Sequence, residues 1–373
     1  MDNKKRIIIN ATCASKKSTG VGIFTQELVS RLVAINPERF FIFCVHNFLN
    51  GFENMKLISD SCSPDNGPSG HRKRILWSQT LLPSEYKLRR GGLLFTTLPE
   101  APISVKNKIV VVHDIIPAKF PQIQTKMTYY YLYVVPWILK TSRHLVFDSE
   151  NTRKDVLEYY KIKNIPNSVI YAGFNKGLFK PIKGGFIKKK YGFDRYFFYV
   201  GDMRPYKNLN SAIQAFSRAS LEEDILFVVA GKRDDRYFPE IQRVVQQKNL
   251  AERVIFCDYV PQEDLPHFYN DAIALFFPSK YEGFGLPPLE AMATGSPVIT
   301  TRMASIPEVC GEAALYVNPD DIDDMASALE RLAGDSSLRE YYIQASLKRS
   351  SLFGWEKTAS EYMNLLIGLA DEI

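Results

Sequence analysis

Short apolar runs alternate with amphipathic stretches from one end of this chain to the other, and that rhythm constrains the fold more than any single motif. Parallel strands buried on both faces read as near-continuous apolar runs, and the crossovers between them read as helices. In the first half the strand candidates are Arg6 to Ala11, Phe40 to Val45, Leu93 to Leu98, Lys108 to Asp114, His144 to Asp148 and Ser168 to Ala172. A helix over Ile23 to Ala34 follows the first of them after a glycine-bearing loop. The second half repeats the pattern with Tyr196 to Gly201, Ile225 to Gly231, Val254 to Val260, Ile273 to Pro278, Pro297 to Thr300 and Ala314 to Val317. Between the halves, Gly173 to Gly185 contains FNKGLFKPIKGG, where glycine, proline and lysine break both periodicities.

At 373 residues the chain is too long for one core of about 100–200 residues. The expected fold is therefore α/β, with two doubly wound, Rossmann-like domains facing each other across a cleft. Residues 1–172 form the first domain, 173–355 the second, and 356–373 a terminal helix that packs back on the first. In open sheets of this kind ligands bind beyond the carboxyl ends of the strands, and that is where chemistry-bearing residues are sought.

Four stretches fit. Lys16-Lys17-Ser18-Thr19-Gly20-Val21-Gly22 lies between the first strand and its helix; Gly20 and Gly22 allow close backbone approach, and the helix start suits an anion or sugar hydroxyls. A plain turn is the competing reading. VVVHD, residues 110–114, ends an apolar strand in His113 and Asp114, either a cleft-facing pair or a histidine tied to a turn. YFFYVGDMRPYKNL, residues 196–209, sets Arg204 and Lys207 just before an amphipathic helix, where charge, forked donors and free N–H groups suit a diphosphate. Solvated loop charges are the alternative.

The fourth is SKYEGFGLPPLEAMATG, residues 279–295. Glu282 follows a strand directly, Gly283 and Gly285 make the turn, and Pro287-Pro288 start a helix whose first turn is read as carrying Glu290. A favourable helix dipole explains Glu290 alone, but not Glu282 or the turn. Asp321-Ile322-Asp323 has the look of a D-x-D metal motif, yet it precedes an amphipathic stretch and reads as a helix N-cap.

Together these segments resemble the retaining GT-B glycosyltransferases of family 4, which assemble bacterial glycans. PSKYEGFGLPPLEAMATGSPVIT is similar to that family's E-x7-E region, and VGDMRPYKNL, HDIIPAKFP, STGVGIFTQELVSRL and the tail from IPEVCGEAALYVNPDD to FGWEKTASEY extend the likeness over most of the chain. The resemblance implies that Arg204 and Lys207 hold the donor diphosphate, with Gly20 and Gly22 giving backbone room beside it. It implies that Glu282 and the turn Gly283, Phe284, Gly285 and Leu286 grip the transferred sugar, that Glu290 accepts from the ribose hydroxyls, and that His113 stands near the reacting carbon. Tyr259 and Val260, within Phe256 to Val260, would lie by the base.

The implied reaction is transfer of a hexose, best read as mannose from GDP-mannose, onto a glycan acceptor carried on a lipid diphosphate, in polysaccharide or O-antigen synthesis. The alternatives are a UDP-sugar donor, or a sugar-nucleotide epimerase on the same fold. Two preorganised cations stabilise the leaving diphosphate without a metal, so no cofactor and no metal is expected. Front-face attack, in which the leaving phosphate takes the acceptor's proton, leaves no role for a carboxylate nucleophile, although Glu282 and Glu290 look like such a pair.

Charge and cysteines narrow the remaining classes. The net charge is +6, held in clusters at His71-Arg72-Lys73-Arg74, Arg89-Arg90 and Lys183 through Lys190. This excess is too mild, and too scattered, for a nucleic-acid binder. GHRKRILWSQTLLP and KLRRGG form a basic, Trp-containing stretch expected to meet an anionic inner membrane or a lipid-linked acceptor. The aromatic run Tyr129-Tyr130-Tyr131-Leu132-Tyr133 reads equally as sugar or lipid contact and as helix packing. Five cysteines without C-x-x-C spacing suit a reducing compartment, and no segment has the about 20 apolar residues of a membrane span. The expected location is the cytoplasm, with peripheral contact at the inner membrane's cytoplasmic face. A catalytically silent binding module is the remaining rival, and the full set of site residues argues against it.

Overall fold

A computed structural model of the protein describes residues 6–18, 20–123 and 125–373. Thr19, which the loop reading included, lies outside the described residues. Contacts divide the chain into two units, Met1–Gly173 together with Trp355–Ile373, and Phe174–Gly354.

The first unit is built on a seven-stranded, wholly parallel sheet of order β3-β2-β1-β4-β5-β6-β7. Its strands are β1 (Ile7–Asn10), β2 (Phe40–Cys44), β3 (Met55–Leu57), β4 (Leu93–Thr96), β5 (Lys108–Val112), β6 (His144–Phe147) and β7 (Asn167–Val169). Both faces are covered, as an all-parallel sheet requires. Ile8, Phe43 and Leu94 pack on one face with Trp77 and Leu82 of the helix Gly67–Leu88. Val110, Val112, Leu145 and Phe147 belong to a second cluster with Val135, Ile138 and Leu139 of the helix Val135–Lys140.

The terminal helix Trp355–Asp371 belongs to this unit. Thr358 donates from its hydroxyl to the Tyr171 carbonyl at 2.8 Å, and Arg39 meets Asp371 at 2.6 Å. Phe24, on the helix Val21–Ile35, sets its ring edge-on to both Trp355 and Tyr362.

The second unit carries a six-stranded parallel sheet of order β10-β9-β8-β11-β12-β13. Its strands are β8 (Tyr196–Val200), β9 (Leu226–Ala230), β10 (Val254–Cys257), β11 (Ala274–Phe277), β12 (Val298–Thr301) and β13 (Leu315–Val317). Phe197, Phe227 and Phe276 form one core with Ile213 and Phe216 of the helix Leu209–Arg218 and Leu329 of the helix Ile322–Gly334. On the other face Phe198 stacks on Phe268 at 5.1 Å and meets Tyr269 edge-on at 5.5 Å. The order reverses between β1 and β4 in the first sheet and between β8 and β11 in the second, so the crevices that open beyond these strand ends are the ligand positions topology favours.

Several expectations are corrected here. Strand β10 stops at Cys257, which leaves Tyr259 and Val260 in the following loop, with Tyr259 81% exposed. Strand β5 stops at Val112, so His113 and Asp114 begin a loop. The edge strand β3 went unread because MKL is short and mostly exposed, without the apolar run that marks a central strand. The helix after the glycine turn runs Leu286–Thr294, which makes Glu290 its fifth residue, beyond the first turn where a helix dipole acts most strongly.

The basic stretch GHRKRILWSQTLLP is also corrected. Arg74 is buried, its guanidinium bonded to both carboxylate oxygens of Glu100 at 2.6 and 2.9 Å, and Trp77 packs edge-on to Phe43. A helix turns residues every 100° or so, and this one sends Arg74 and Trp77 inward while Arg72 and Lys73 stay in solvent. In the aromatic run, Tyr130 is buried with its hydroxyl on the Pro99 carbonyl, whereas Tyr129 and Tyr133 are exposed and stacked on each other. Trp137, one turn further on, is 63% exposed. Among the described residues no helix is long and apolar enough to cross a membrane.

Candidate active site

The carboxyl ends of β8 and β11 bring the second unit's candidates together. After β8 the chain runs through Gly201 to Arg204, makes a short 3-10 turn over Pro205–Lys207, and enters the helix Leu209–Arg218 through Asn208 in the left-handed conformation (φ 62°). Asn208 is fixed there by donating from Nδ2 to the Pro319 carbonyl at 2.7 Å. The loop after β11 is tied to the same turn, because the Lys280 amide donates to the Tyr206 carbonyl at 2.7 Å. Residues far apart in sequence therefore share one crevice.

Lys207 and Glu282 are the product of that arrangement. The Lys207 ammonium donates to Oε1 and Oε2 of Glu282 at 2.7 and 2.8 Å, and both side chains are largely buried. Beside them Arg204 is held by Asp202: its amide donates to Oδ1 at 3.0 Å, its Nε to Oδ2 at 2.9 Å, and Nη2 bonds Oδ2 as well. Burial alone would raise the Asp202 carboxyl, but the hydrogen bonds from Arg204 and the charges of Lys207 and Arg204 outweigh it and hold the group below the usual range. The two cations thus converge on one acid. Each has a carboxylate partner, which the reading of Arg204 and Lys207 as cations open to a phosphate did not foresee.

The turn that follows Glu282 is tight and depends on glycine. Gly285 has φ 121°, a conformation that a side chain resists, and it delivers the chain into the helix at Leu286. The hydroxyl of Ser305 serves two carbonyls, those of Glu282 at 2.9 Å and Phe284 at 2.7 Å. Phe284 itself is buried against Phe353. With those oxygens turned to Ser305, Gly283 stands at the bend between them. Further along, Glu290 accepts from the Tyr269 hydroxyl at 3.0 Å. Burial pushes the Glu290 carboxyl up to about 7, and the Tyr269 hydrogen bond works against that rise.

Glu282 and Glu290 therefore occupy different chemical settings, one ion-paired and one bonded to a phenol. Asp321 likewise caps its helix, accepting from the amides of Asp323 and Asp324. Among the described residues no group of three or more His, Cys, Asp or Glu side chains is placed to hold a metal ion.

In the first unit, Gly20 and Gly22 enter the helix Val21–Ile35 beyond β1. A Cβ on Gly22 would lie 2.6 Å from Ser18 Oγ and 3.3 Å from the Cys13 carbonyl, so the glycine keeps the loop closed on itself. Ser18 Oγ accepts from the Ser15 amide and donates to its carbonyl, both at 2.8 Å. Gly20, at φ 47°, has open space where a side chain would go. His113 follows β5: its Nδ1 faces Asp148 Oδ2, its Nε2 lies 2.8 Å from the Thr97 carbonyl, and its ring meets Phe24 edge-on at 4.7 Å. The neighbouring Asp114 accepts from the Ile116 amide at 2.9 Å.

Four residues of this geometry escaped the sequence reading: Asp148, Asp202, Tyr269 and Ser305. Only Asp202 had a local signal, since an acid two residues before an arginine readily folds back on it. The others act through contacts that parallel topology creates between distant segments.

Residues 185–349 match the family described as Glycosyl transferases group 1. The O-antigen chain mannosyltransferase B of Escherichia coli is 27% identical over 369 residues, covering 93% of this chain and 95% of that protein. The O-antigen chain mannosyltransferase RfbU of Salmonella typhimurium is 32% identical over 246 residues, 66% of each chain. Among solved structures, the sucrose-phosphate synthase of Thermosynechococcus elongatus superposes with a TM-score of 0.79 at 19% identity, over 99% of this chain and 100% of its own. Residues 185–349 thus match a glycosyl transferase group 1 domain, and the chain as a whole has the GT-B fold of these neighbours. These findings identify it as a hexosyltransferase, and the named O-antigen relatives are mannosyltransferases.

Proposed function

We propose that the protein transfers mannose from GDP-mannose, with retention, onto a glycan acceptor carried on a lipid diphosphate, in bacterial polysaccharide or O-antigen synthesis. The observation that carries this reading is the alignment with an O-antigen chain mannosyltransferase over 93% of the chain. Support comes from the two cations Arg204 and Lys207 beyond the end of β8, set beside Asp202 and Glu282.

In this reading the second unit holds the donor. Arg204 and Lys207 exchange their carboxylate partners for the diphosphate, Glu282 turns from Lys207 to the sugar hydroxyls, and Glu290 accepts from the ribose hydroxyls. Tyr259 and Val260 lie by the base. The bond from the anomeric carbon to the diphosphate breaks as the acceptor oxygen bonds that carbon on the same face. The acceptor's proton passes to an oxygen of the leaving diphosphate, whose growing charge the two cations stabilise. No step is assigned to a metal.

Peripheral contact with an anionic leaflet is part of the proposal. The exposed ridge of Tyr129, Tyr133 and Trp137 suits the headgroup region, where aromatic rings with a polar edge are favoured. Arg72 and Lys73 add solvent-facing charge in the same unit.

Thermal-shift screening of nucleotide sugars tests the donor. A true donor at 100 times its dissociation constant adds about 2.7 kcal/mol of stability, so GDP-mannose and GDP should both raise the melting point. A rise with UDP-sugars alone would move the assignment to the UDP donor. Conversion of GDP-mannose to an epimer without acceptor would favour the epimerase.

A further inference from the structure

Thr97, His113 and Asp148 are the residues that directly follow the ends of β4, β5 and β6, three neighbouring strands of the first sheet. The register pairs Val112 with Phe147, so the next step along each strand sets His113 beside Asp148. The imidazole is therefore clamped between two oxygens. Thr97 offers a carbonyl at 2.8 Å from Nε2, and a carbonyl can only accept, so Nε2 carries a proton. Nδ1 faces Asp148 Oδ2, and the proton between them has two possible owners. An ordinary carboxyl is the stronger acid than an ordinary imidazolium by about two to three pH units, which places that proton on the ring.

We propose that His113 is held as a doubly protonated imidazolium, and that Asp148 is the positioning residue that keeps it so. In that state His113 has no lone pair. It cannot act as a base or accept a hydroxyl's proton; it offers a positive charge and one N–H, at Nε2, that a substrate oxygen can take over from the Thr97 carbonyl.

The surroundings support the assignment. Asp148 is buried, its Oδ1 has no hydrogen-bond partner among the described residues, and the imidazolium is thus its main compensation. The Tyr362 hydroxyl of the terminal helix is also buried with no hydrogen-bond partner among the described residues, and the charge of Asp148 helps to hold it protonated, secondary to burial. Asp114, on the same loop as His113, adds a second negative charge, and Phe24 closes the remaining side with an apolar ring. Burial lowers the proton affinity of His113, but the charge and hydrogen bond of Asp148, with the Thr97 carbonyl and Asp114, outweigh it and raise it overall.

The catalytic consequence rests on the proposed function, whereas the protonation state does not, and one experiment on the full chain separates them. The chain has five histidines. With ring-labelled histidine, the His113 signals are assigned by their loss in His113→Gln and followed against pH by nitrogen NMR. Both ring nitrogens should be protonated at pH 7, and Asp148→Asn should lower the midpoint by a pH unit or more, about tenfold in proton affinity. The alkaline limb of kcat should move down with it, and Asp148→Glu should restore part of the shift. A neutral ring at pH 7 in the unaltered protein overturns the proposal whether or not Asp148→Asn folds, as does a midpoint that ignores the substitution. An imidazolium in a protein that transfers no hexose from any nucleotide sugar would leave this inference standing and sink the proposed function.

Discussion

The Lys207 ammonium lies 2.7 and 2.8 Å from the two carboxylate oxygens of Glu282, across 75 residues of sequence. In the proposed function Lys207 exchanges this carboxylate for the donor diphosphate. Replacing Lys207 with Ala should therefore have two effects. Loss of a preorganised cation at the leaving group lowers kcat by about 10²–10³. The abandoned Glu282 lowers stability by about 1–3 kcal/mol. Rapid-quench turnover and a melting curve measure both, and near-normal turnover would remove Lys207 from the reaction.

Asp202 competes with a diphosphate for Arg204. Asp202→Asn keeps an oxygen for the Arg204 amide but removes the charge, so GDP should bind about tenfold more tightly, equivalent to about 1.4 kcal/mol. Titration calorimetry reads this directly. Unchanged or weaker binding would show that Asp202 serves Arg204 as a support and does not oppose the ligand.

Glu290 gives a pH dependence whose sign is fixed. Its carboxyl, raised to about 7 in the fold, is partly protonated at neutral pH. An unfolded glutamate titrates near 4.3, so this group destabilises the fold progressively as pH rises from there to about 7. Ribose hydroxyls that donate to Glu290 favour the ionised form, so nucleotide binding near pH 6.5 should release protons and above about pH 8 should release almost none. Calorimetry in buffers of different ionisation enthalpy counts them. Tyr269→Phe removes the hydrogen bond that favours ionisation and should weaken binding several-fold at pH 7, with recovery at higher pH.

Two tryptophans separate packing from docking. Trp77 is buried against Phe43, so Trp77→Ala should lower stability by about 3–5 kcal/mol. Trp137 is exposed, so Trp137→Ala should leave the melting point nearly unmoved while reducing flotation with vesicles of anionic lipid. Equal flotation of both proteins would remove the aromatic ridge from the membrane proposal.

Much of this was legible in sequence for a definite reason. Central parallel strands are apolar throughout, and the loops at their ends are marked by glycine and proline, so β8 and β11 and the residues after them could be located before any coordinates. The edge strand β3, only three residues long and largely in solvent, had no such mark. Candidates were legible where a motif gathered them, as with Glu282, Gly285 and Glu290. Partners were not: Asp148 stands 35 residues from His113 and Tyr269 stands 21 from Glu290, joined only by strand register and helix packing. Arg74 and Trp77 misled because a basic stretch looks solvent-facing until the helix assigns its inward side.

The most direct test of the central claim is incubation of the purified protein with GDP-mannose and a lipid-diphosphate-linked glycan, followed by proton NMR of the product. The account predicts one added mannose with the α configuration of the donor. A β-linked mannose would contradict retention, and an acceptor that gains a hexose only from UDP-sugars would contradict the donor.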